Sequence, residues 1–154
     1  AAHWIIQDIT QNANEFVGKK WEIEFKVKNL DGNNAAVDVA ARDKSKFIEY
    51  KWLTSATVNK EDFVREFIKR DLYNPDITSL SQLEWRIKGM KLSKTKALEY
   101  LKSVEASSAL NNPKIRKLFE NFGKQKNPSL SIDDTEDLLI FLDNNNDWYN
   151  LIFK

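Results

Sequence analysis

Two neighbouring segments hold side chains that could carry chemistry together. Asp38 lies in a run of small apolar residues, and Glu49 and Lys51 lie in the aromatic run that follows it. Alternate residues of an extended strand share a face, so Glu49 and Lys51 are predicted to lie side by side on one surface. If the two segments pair through the short turn between them, Asp38 and Glu49 converge across the ladder. Ala36 and Ala40, on the same face as Asp38, leave room there for an ion or a phosphate.

A converging pair of carboxylates suits a metal ion. Two carboxylates close together repel each other unless a proton or a cation joins them. Carboxylate oxygens without His or Cys ligands suit Mg²⁺ or Mn²⁺. A lysine beside them can hold a phosphate oxygen or orient a metal-bound water. We therefore predict a site equipped for metal-assisted hydrolysis of a phosphodiester.

The composition removes several other kinds of site. The chain of 154 residues has no Cys, and His3 is its single His, which excludes disulfides, thiolate zinc sites, cysteine nucleophiles and His clusters. Zn²⁺ is disfavoured for the same reason. A net charge of +1 is not that of a nonspecific nucleic-acid coat, although it allows a local phosphate-binding groove. No apolar run approaches the roughly 18 residues of a membrane span.

Hydrophobic periodicity and turn residues predict a sheet around these side chains. The predicted elements are a helix, three antiparallel strands, a second helix and a fourth strand, at residues 3–17, 20–28, 35–42, 46–53, 60–73 and 81–88. We expect alternate apolar residues to share one face along each strand. The Trp residues, Trp52 among them, are predicted to pack rather than to stack on bases. From Ser93 onward the pattern is helical, so we expect a core over 1–92 and a helical extension over 93–154, packed together as a single domain.

The candidate residues and the order of the elements resemble the PD-(D/E)xK nuclease superfamily. Asp38 matches the aspartate of its second strand, and Glu49-Tyr50-Lys51 matches its E-x-K. The resemblance covers residues 3–90, and no proline precedes Asp38. It implies an α/β fold, with a restriction-endonuclease-like core of mixed β-sheet flanked by helices and a C-terminal helical extension outside the match.

The resemblance also implies roles for the residues of the motif. Asp38 and Glu49 would be catalytic metal ligands for Mg²⁺ or Mn²⁺. The backbone carbonyl of Tyr50 would be a further ligand, as the middle residue of the motif commonly is. Lys51 would act on the nucleophilic water.

Two further sets of candidates lie on predicted helices. Superfamily members often add an acid from the first helix, for which Glu15 is the first candidate and Asp8 the second. Arg65, Lys69 and Arg70, on the second helix, are candidates to contact a nucleic-acid backbone. For each set the alternative is an ordinary solvated helix face, with the basic residues partly paired to acids of the same helix.

A compact nuclease without cysteine resembles, in its architecture, the C-terminal toxin module of bacterial contact-dependent inhibition and other polymorphic toxins. The chain begins Ala1-Ala2-His3, without Met, so we interpret it as a piece of a longer protein. The resemblance implies delivery as part of a secreted or cell-surface protein, action in the cytoplasm of the target cell, and a cognate immunity protein as partner. DNA is the first expected substrate and tRNA the second.

Three other interpretations stay open at this point. The chain could be a restriction or repair nuclease. It could also be a nuclease-like module that binds protein and has no catalysis. Finally, Glu49 and Lys51 could form an ordinary ion pair on a half-exposed sheet. Binding of Mg²⁺ or Mn²⁺ at the carboxylates separates the enzyme from the inert module.

Overall fold

The computed structural model describes residues 2–53, 58–89 and 92–154. In chain order the elements are α1 (Ala2–Gln11), α2 (Ala13–Phe16), β1 (Trp21–Lys28), β2 (Asn34–Ala41), β3 (Phe47–Leu53), α3 (Lys60–Phe63), a π-helix (Val64–Leu72), a 3₁₀-helix (Leu80–Gln82), β4 (Leu83–Gly89), α4 (Lys94–Leu101), α5 (Val104–Leu110), α6 (Pro113–Gly123), α7 (Thr135–Asn144) and α8 (Asp147–Ile152). The α/β class that the sequence predicts, a mixed sheet flanked by helices, is confirmed. None of the helices in these ranges is long and apolar enough to cross a membrane.

The four strands form one mixed sheet in the order β1-β2-β3-β4. β1 pairs with β2 and β2 with β3 in antiparallel fashion, whereas β3 and β4 run parallel. The chain reaches β4 from β3 through α3 and the π-helix, because parallel neighbours need a crossover connection. Glu49 lies opposite Trp85 in this parallel ladder, and Lys51 lies opposite Ile87.

β2 and β3 part at Asp38. Their ladder consists of the pairs Val39–Ile48 and Ala40–Phe47. Beyond it, the carboxylate of Asp38 takes the place of the backbone, because Oδ2 accepts a hydrogen bond from the backbone N–H of Tyr50 at 2.9 Å. The end of β3 is therefore paired with β4 on one side while β2 turns away on the other.

The expected alternation of apolar residues along whole strands is wrong for β1 and β2. Val37 belongs to the main core, whereas Val39 belongs to a smaller cluster on the other face of the sheet. Likewise, Phe25 packs against the main core and Trp21 against the smaller cluster. Glu24 has a left-handed backbone (φ +55°), and the β1–β2 register skips the position where it would face Asp38. At this irregularity the apolar side chains of β1 and β2 change from one face of the sheet to the other. It lies next to Asp38, at the candidate site.

The main core joins the crossover helices, β4 and the end of the chain. The ring of Phe153 lies close to two core rings, with centroid distances of 5.5 Å to Trp85 of β4 and 5.1 Å to Phe67 of the π-helix. The backbone continues this contact, since the N–H of Lys154 donates to the carbonyl of Trp85 at 2.8 Å. The residues that follow α8 thus bind along the free edge of β4.

Gly89 is expected to be the least replaceable glycine. It has φ +92°, and a Cβ there would lie 2.0 Å from the carbonyl oxygen of its ladder partner Leu53. Gly32 is a matched control, with φ +84° and no heavy atom within 4 Å of the added Cβ. Gly32→Ala should cost about 1 kcal/mol of unfolding free energy for the left-handed backbone alone. Gly89→Ala should cost on the order of 2 kcal/mol more, from backbone strain. Urea unfolding of both variants measures this, and equal losses would contradict it.

Candidate functional site

Asp38 and Glu49 meet where β2 and β3 part. Glu49 is completely buried, whereas Asp38 is half-buried. Burial and the charge of Asp71 raise the pKa of Glu49, and Asp38 lies close enough to add to that shift. The structure therefore brings together the two carboxylates that the strand pattern predicts to converge.

Lys51 lies on the same face of β3 as Glu49, and both point toward the π-helix. The Nζ atom of Lys51 forms an ion pair with Glu66 of that helix and lies 5.5 Å from the centroid of the Trp85 ring. Glu49 has a partner on the same helix, because Arg70 Nη2 lies 2.9 Å from Glu49 Oε2. Each residue of the E-x-K pair is thus matched by an opposite charge from the crossover.

Arg70 is held in place by a second buried carboxylate. Its Nε lies 2.9 Å from Asp71 Oδ1, and the indole N–H of Trp85 donates to Asp71 Oδ2 at 2.7 Å. Asp71 and Trp85 are both buried. This chain of contacts fixes the guanidinium beside Glu49. Sequence reasoning missed Asp71 and Trp85 as site residues, although an Asp next to the apolar Leu72 of a helix was a signal that could have been followed.

The π-helix explains why three polar residues face the strands together. Its hydrogen bonds run from residue i to i+5, as from the N–H of Tyr73 to the carbonyl of Ile68 at 3.0 Å. Residues four and five apart then share a face, which brings Glu66, Arg70 and Asp71 toward β3. The sequence predicts a helix here but not this wider winding.

These side chains form one group, which we call the carboxylate cluster: Asp38, Glu49, Glu66 and Asp71, with the cations Lys51 and Arg70. Four carboxylates face two cations, so with all groups ionised the cluster carries two excess negative charges. Arg65 lies on its rim, where it is shared between Glu66 and Asp62. A buried excess of negative charge is stabilised by protons or by a bound cation.

The protonation of the cluster follows from burial. Burial raises the pKa of Glu49 well above the ordinary range of a glutamate, and the charges of Asp71 and Asp38 raise it further, while Arg70 opposes the shift. Burial also raises the pKa of Asp71, against the opposing charge of Arg70. Neither oxygen of Glu49 accepts a hydrogen bond from the part of the chain that the structure describes. Glu49 is therefore a buried carboxyl group whose oxygens have no hydrogen-bond partner among the described residues.

The donor set fits a hard divalent cation held by few protein ligands. Within residues 2–53, 58–89 and 92–154, no three acidic, His or Cys side chains are grouped so that they could hold a metal ion. Mg²⁺ is commonly bound through one or two carboxylates, with waters and substrate phosphates completing its shell. Asp38 and Glu49 supply that pair. The carbonyl of Tyr50 points to the same side of β3 as its N–H, which is the side of Asp38.

The first-helix acids lie elsewhere. Glu15 is 53% exposed and forms an ion pair with Arg86. Asp8 accepts hydrogen bonds from the Tyr50 hydroxyl and from Arg86 Nη1, both at 2.6 Å. Tyr50 and Arg86 are ladder partners on the face of the sheet opposite Glu49. Neither Glu15 nor Asp8 is brought to the carboxylate cluster, and the helical acids that do reach it are Glu66 and Asp71 of the π-helix.

The three predicted contacts to a nucleic-acid backbone are separated. Arg70 is 17% exposed and is engaged by Glu49 and Asp71. Arg65 is 64% exposed and pairs with Asp62 at 2.6 Å. Arg65 and Lys69 line a surface groove of about 300 Å³. Two of the three are thus on the surface, and the third belongs to the carboxylate cluster.

Glu49→Gln is expected to make the metal-free protein more stable at pH 8. Because the folded-state pKa of Glu49 is raised, the unfolded chain loses this proton first as the pH rises, and stability falls between about pH 4 and the folded-state pKa. Glutamine cannot ionise, and its side chain has nearly the same volume as that of glutamate. Thermal unfolding in EDTA measures the effect, with Glu99→Gln on the exposed surface as the control. The advantage of Glu49→Gln should shrink toward about pH 4, and an unchanged pH dependence would contradict this.

Comparison with known proteins adds no relative. A scan of protein-family models and a search of curated proteins found no match to this chain, and no solved structure matches it. The chemistry of the site is therefore inferred from its own side chains.

Proposed function

We propose that this chain is a divalent-metal-dependent nuclease, with DNA as its first substrate. The observation that carries the proposal is the meeting of Asp38 and Glu49 across adjacent strands, with Lys51 on the same face. Placing the buried carboxyl group of Glu49 next to the half-buried Asp38 costs free energy, because a buried carboxylate loses its hydration. A site that pays this cost at a break in the sheet is typical of function rather than of packing.

The site residues have distinct roles in this proposal. Asp38 and Glu49, with the carbonyl of Tyr50, would hold Mg²⁺ or Mn²⁺. The ion, when bound, would polarise the phosphate and activate a water. Lys51 would position that water or hold a phosphate oxygen, since it lies on the same face of β3 as Glu49. Arg70 neutralises Glu49 and would share its charge with the substrate phosphate.

The resemblance to the PD-(D/E)xK superfamily supports this assignment. The order of a helix, three strands, a crossover helix and a parallel fourth strand agrees with the superfamily core. We carry the remaining expectations forward as part of the proposal: a toxin module of a larger delivered protein, action in the target cell, and a cognate immunity protein.

A non-catalytic binding module is the second candidate, and one observation favours it. Arg70 already occupies a position 2.9 Å from Glu49, so the ion pair could be a structural feature of an inert sheet. The two candidates differ in metal binding, because an inert module has no reason to bind Mn²⁺ at Asp38 and Glu49.

Incubation of the protein with supercoiled plasmid DNA and with total tRNA, each with Mg²⁺, Mn²⁺ or EDTA, tests the proposal. We expect nicking and linearisation of the plasmid with either metal and none in EDTA. Cleavage confined to tRNA would retain the nuclease and change its substrate. Absence of cleavage on both substrates, together with no Mn²⁺ binding, would favour the inert module.

A further inference from the structure

A cationic-aromatic patch lies at the carboxyl ends of the parallel strands β3 and β4. It consists of Trp52, Lys88 and Trp4. Trp52 and Lys88 are partners in the β3–β4 ladder, and Trp4 comes from α1. Trp52 directly follows Lys51 in the chain, but its side chain lies with Tyr50 and Trp4 on the face of the sheet opposite the carboxylate cluster.

One ammonium group lies against both indole rings. Lys88 Nζ is 4.6 Å from the centroid of the Trp52 ring and 5.9 Å from that of Trp4. Trp4 is itself fixed by an edge-on contact with Tyr50, with ring centroids 5.1 Å apart at 90°. Lys88 forms no ion pair with the described residues, so the patch keeps its positive charge.

The ring of Trp52 is unusually open. Its residue is 57% exposed, and it is the single exposed Trp among the described residues. β2 has already left β3 at this point, since their ladder ends at Ile48. Trp52 therefore lies at the opening between the two strands, and the sequence-based expectation that it packs in the core is wrong.

We propose that this patch binds an unpaired nucleobase of the substrate, by stacking on Trp52, while Lys88 pairs with an adjoining phosphate. The inference rests on the proposed nuclease function and extends it to the class of substrate. Bases in a duplex are stacked on one another and present only their edges, whereas an unpaired base offers a face to an aromatic ring. The exposed indole suits the base of a nucleotide, and a lysine without an ion pair among the described residues suits its phosphate.

Binding in EDTA isolates the patch from catalysis. Fluorescence anisotropy would compare a labelled single-stranded DNA oligonucleotide, RNA of the same sequence, and the DNA duplex. We expect tighter binding of the single strands than of the duplex. Trp52→Ala should weaken single-strand binding roughly tenfold, the loss expected for one stacked base, and should leave duplex binding unchanged. Trp52→Phe should retain most of the affinity.

Two lysine variants complete the test. Lys88→Met should weaken single-strand binding. It should also make the plot of log affinity against log salt concentration less steep, by the amount expected for about one lost phosphate contact. Lys26→Met, at an exposed position of β1, should do neither. Tighter binding of the RNA than of the DNA of the same sequence would identify single-stranded RNA as the ligand of the patch. Equal affinity for the two would show that the patch recognises the base and the phosphate but not the sugar. The proposal is overturned if Trp52→Ala leaves single-strand affinity unchanged, or if wild-type protein binds the duplex as tightly as the single strands. Because these assays contain no metal, their failure is distinct from an absence of metal-dependent cleavage, which would overturn the nuclease function instead.

Discussion

Glu49→Gln is expected to weaken Mn²⁺ binding by about tenfold or more and to lower cleavage on the order of a hundredfold or more. The substitution keeps the volume of the side chain and removes its negative charge, so Asp38 is left as the only charged ligand in the pair. Calorimetric titration with Mn²⁺ and a plasmid nicking assay measure the two losses. The same variant is expected to be more stable without metal, so loss of activity cannot be attributed to unfolding.

Glu84→Gln is the matched control for Glu49→Gln. Glu84 is also a buried glutamate of the sheet, but it lies on the other face, where Arg86 and Lys154 pair with it at 3.3 and 3.2 Å. Its replacement should leave Mn²⁺ affinity unchanged. Equal losses of affinity in the two variants, or full activity of Glu49→Gln, would contradict the assignment of Glu49 as a ligand.

Lys51→Met is expected to keep metal binding and to lower the rate of cleavage on the order of a hundredfold or more. Methionine preserves most of the side-chain length and deletes the ammonium group, which the proposal places at the attacking water. Mn²⁺ titration and initial nicking rates give the two readouts. Glu49→Gln and Lys51→Met thus have different signatures, since the first loses metal and the second loses turnover.

Loss of the ammonium also removes one of the two ion pairs of Glu66 and leaves it with Arg65, at 3.7 Å. The double variant Lys51→Met/Glu66→Gln restores the charge balance and controls for destabilisation. Its stability should recover toward that of the wild type while its rate stays low. Recovery of the rate in the double variant would show that Lys51 acts only by pairing with Glu66.

The parts of the site that depend on local spacing could be predicted from the sequence. Glu49 and Lys51 lie two residues apart on a strand, and a short turn leads back to Asp38, so their common position follows from period two and antiparallel pairing. The order of helices and strands was predictable for the same reason, because apolar periodicity and turn residues mark each element along the chain.

The remaining parts depend on contacts that no local pattern encodes. Asp71 reaches Trp85 and Arg70 reaches Glu49 only because the crossover winds as a π-helix and packs over β3. Glu15 was predicted as the helical acid because superfamily members often add an acid from the first helix. In the structure, α2 lies on the face of the sheet opposite Glu49. The left-handed backbone at Glu24 could not be foreseen either, since glutamate has no preference for that conformation.

The most direct test of the nuclease assignment is the Mn²⁺ dependence of plasmid nicking by wild-type protein and by Asp38→Asn. Asparagine can still accept the hydrogen bond from the N–H of Tyr50, so this variant keeps the junction of β2 and β3 while losing one charge. The account predicts nicking by the wild type that rises with Mn²⁺ and stops in EDTA, and a rate for Asp38→Asn lower on the order of a hundredfold or more at every metal concentration. Equal nicking by both proteins, or nicking that continues in EDTA, would contradict it.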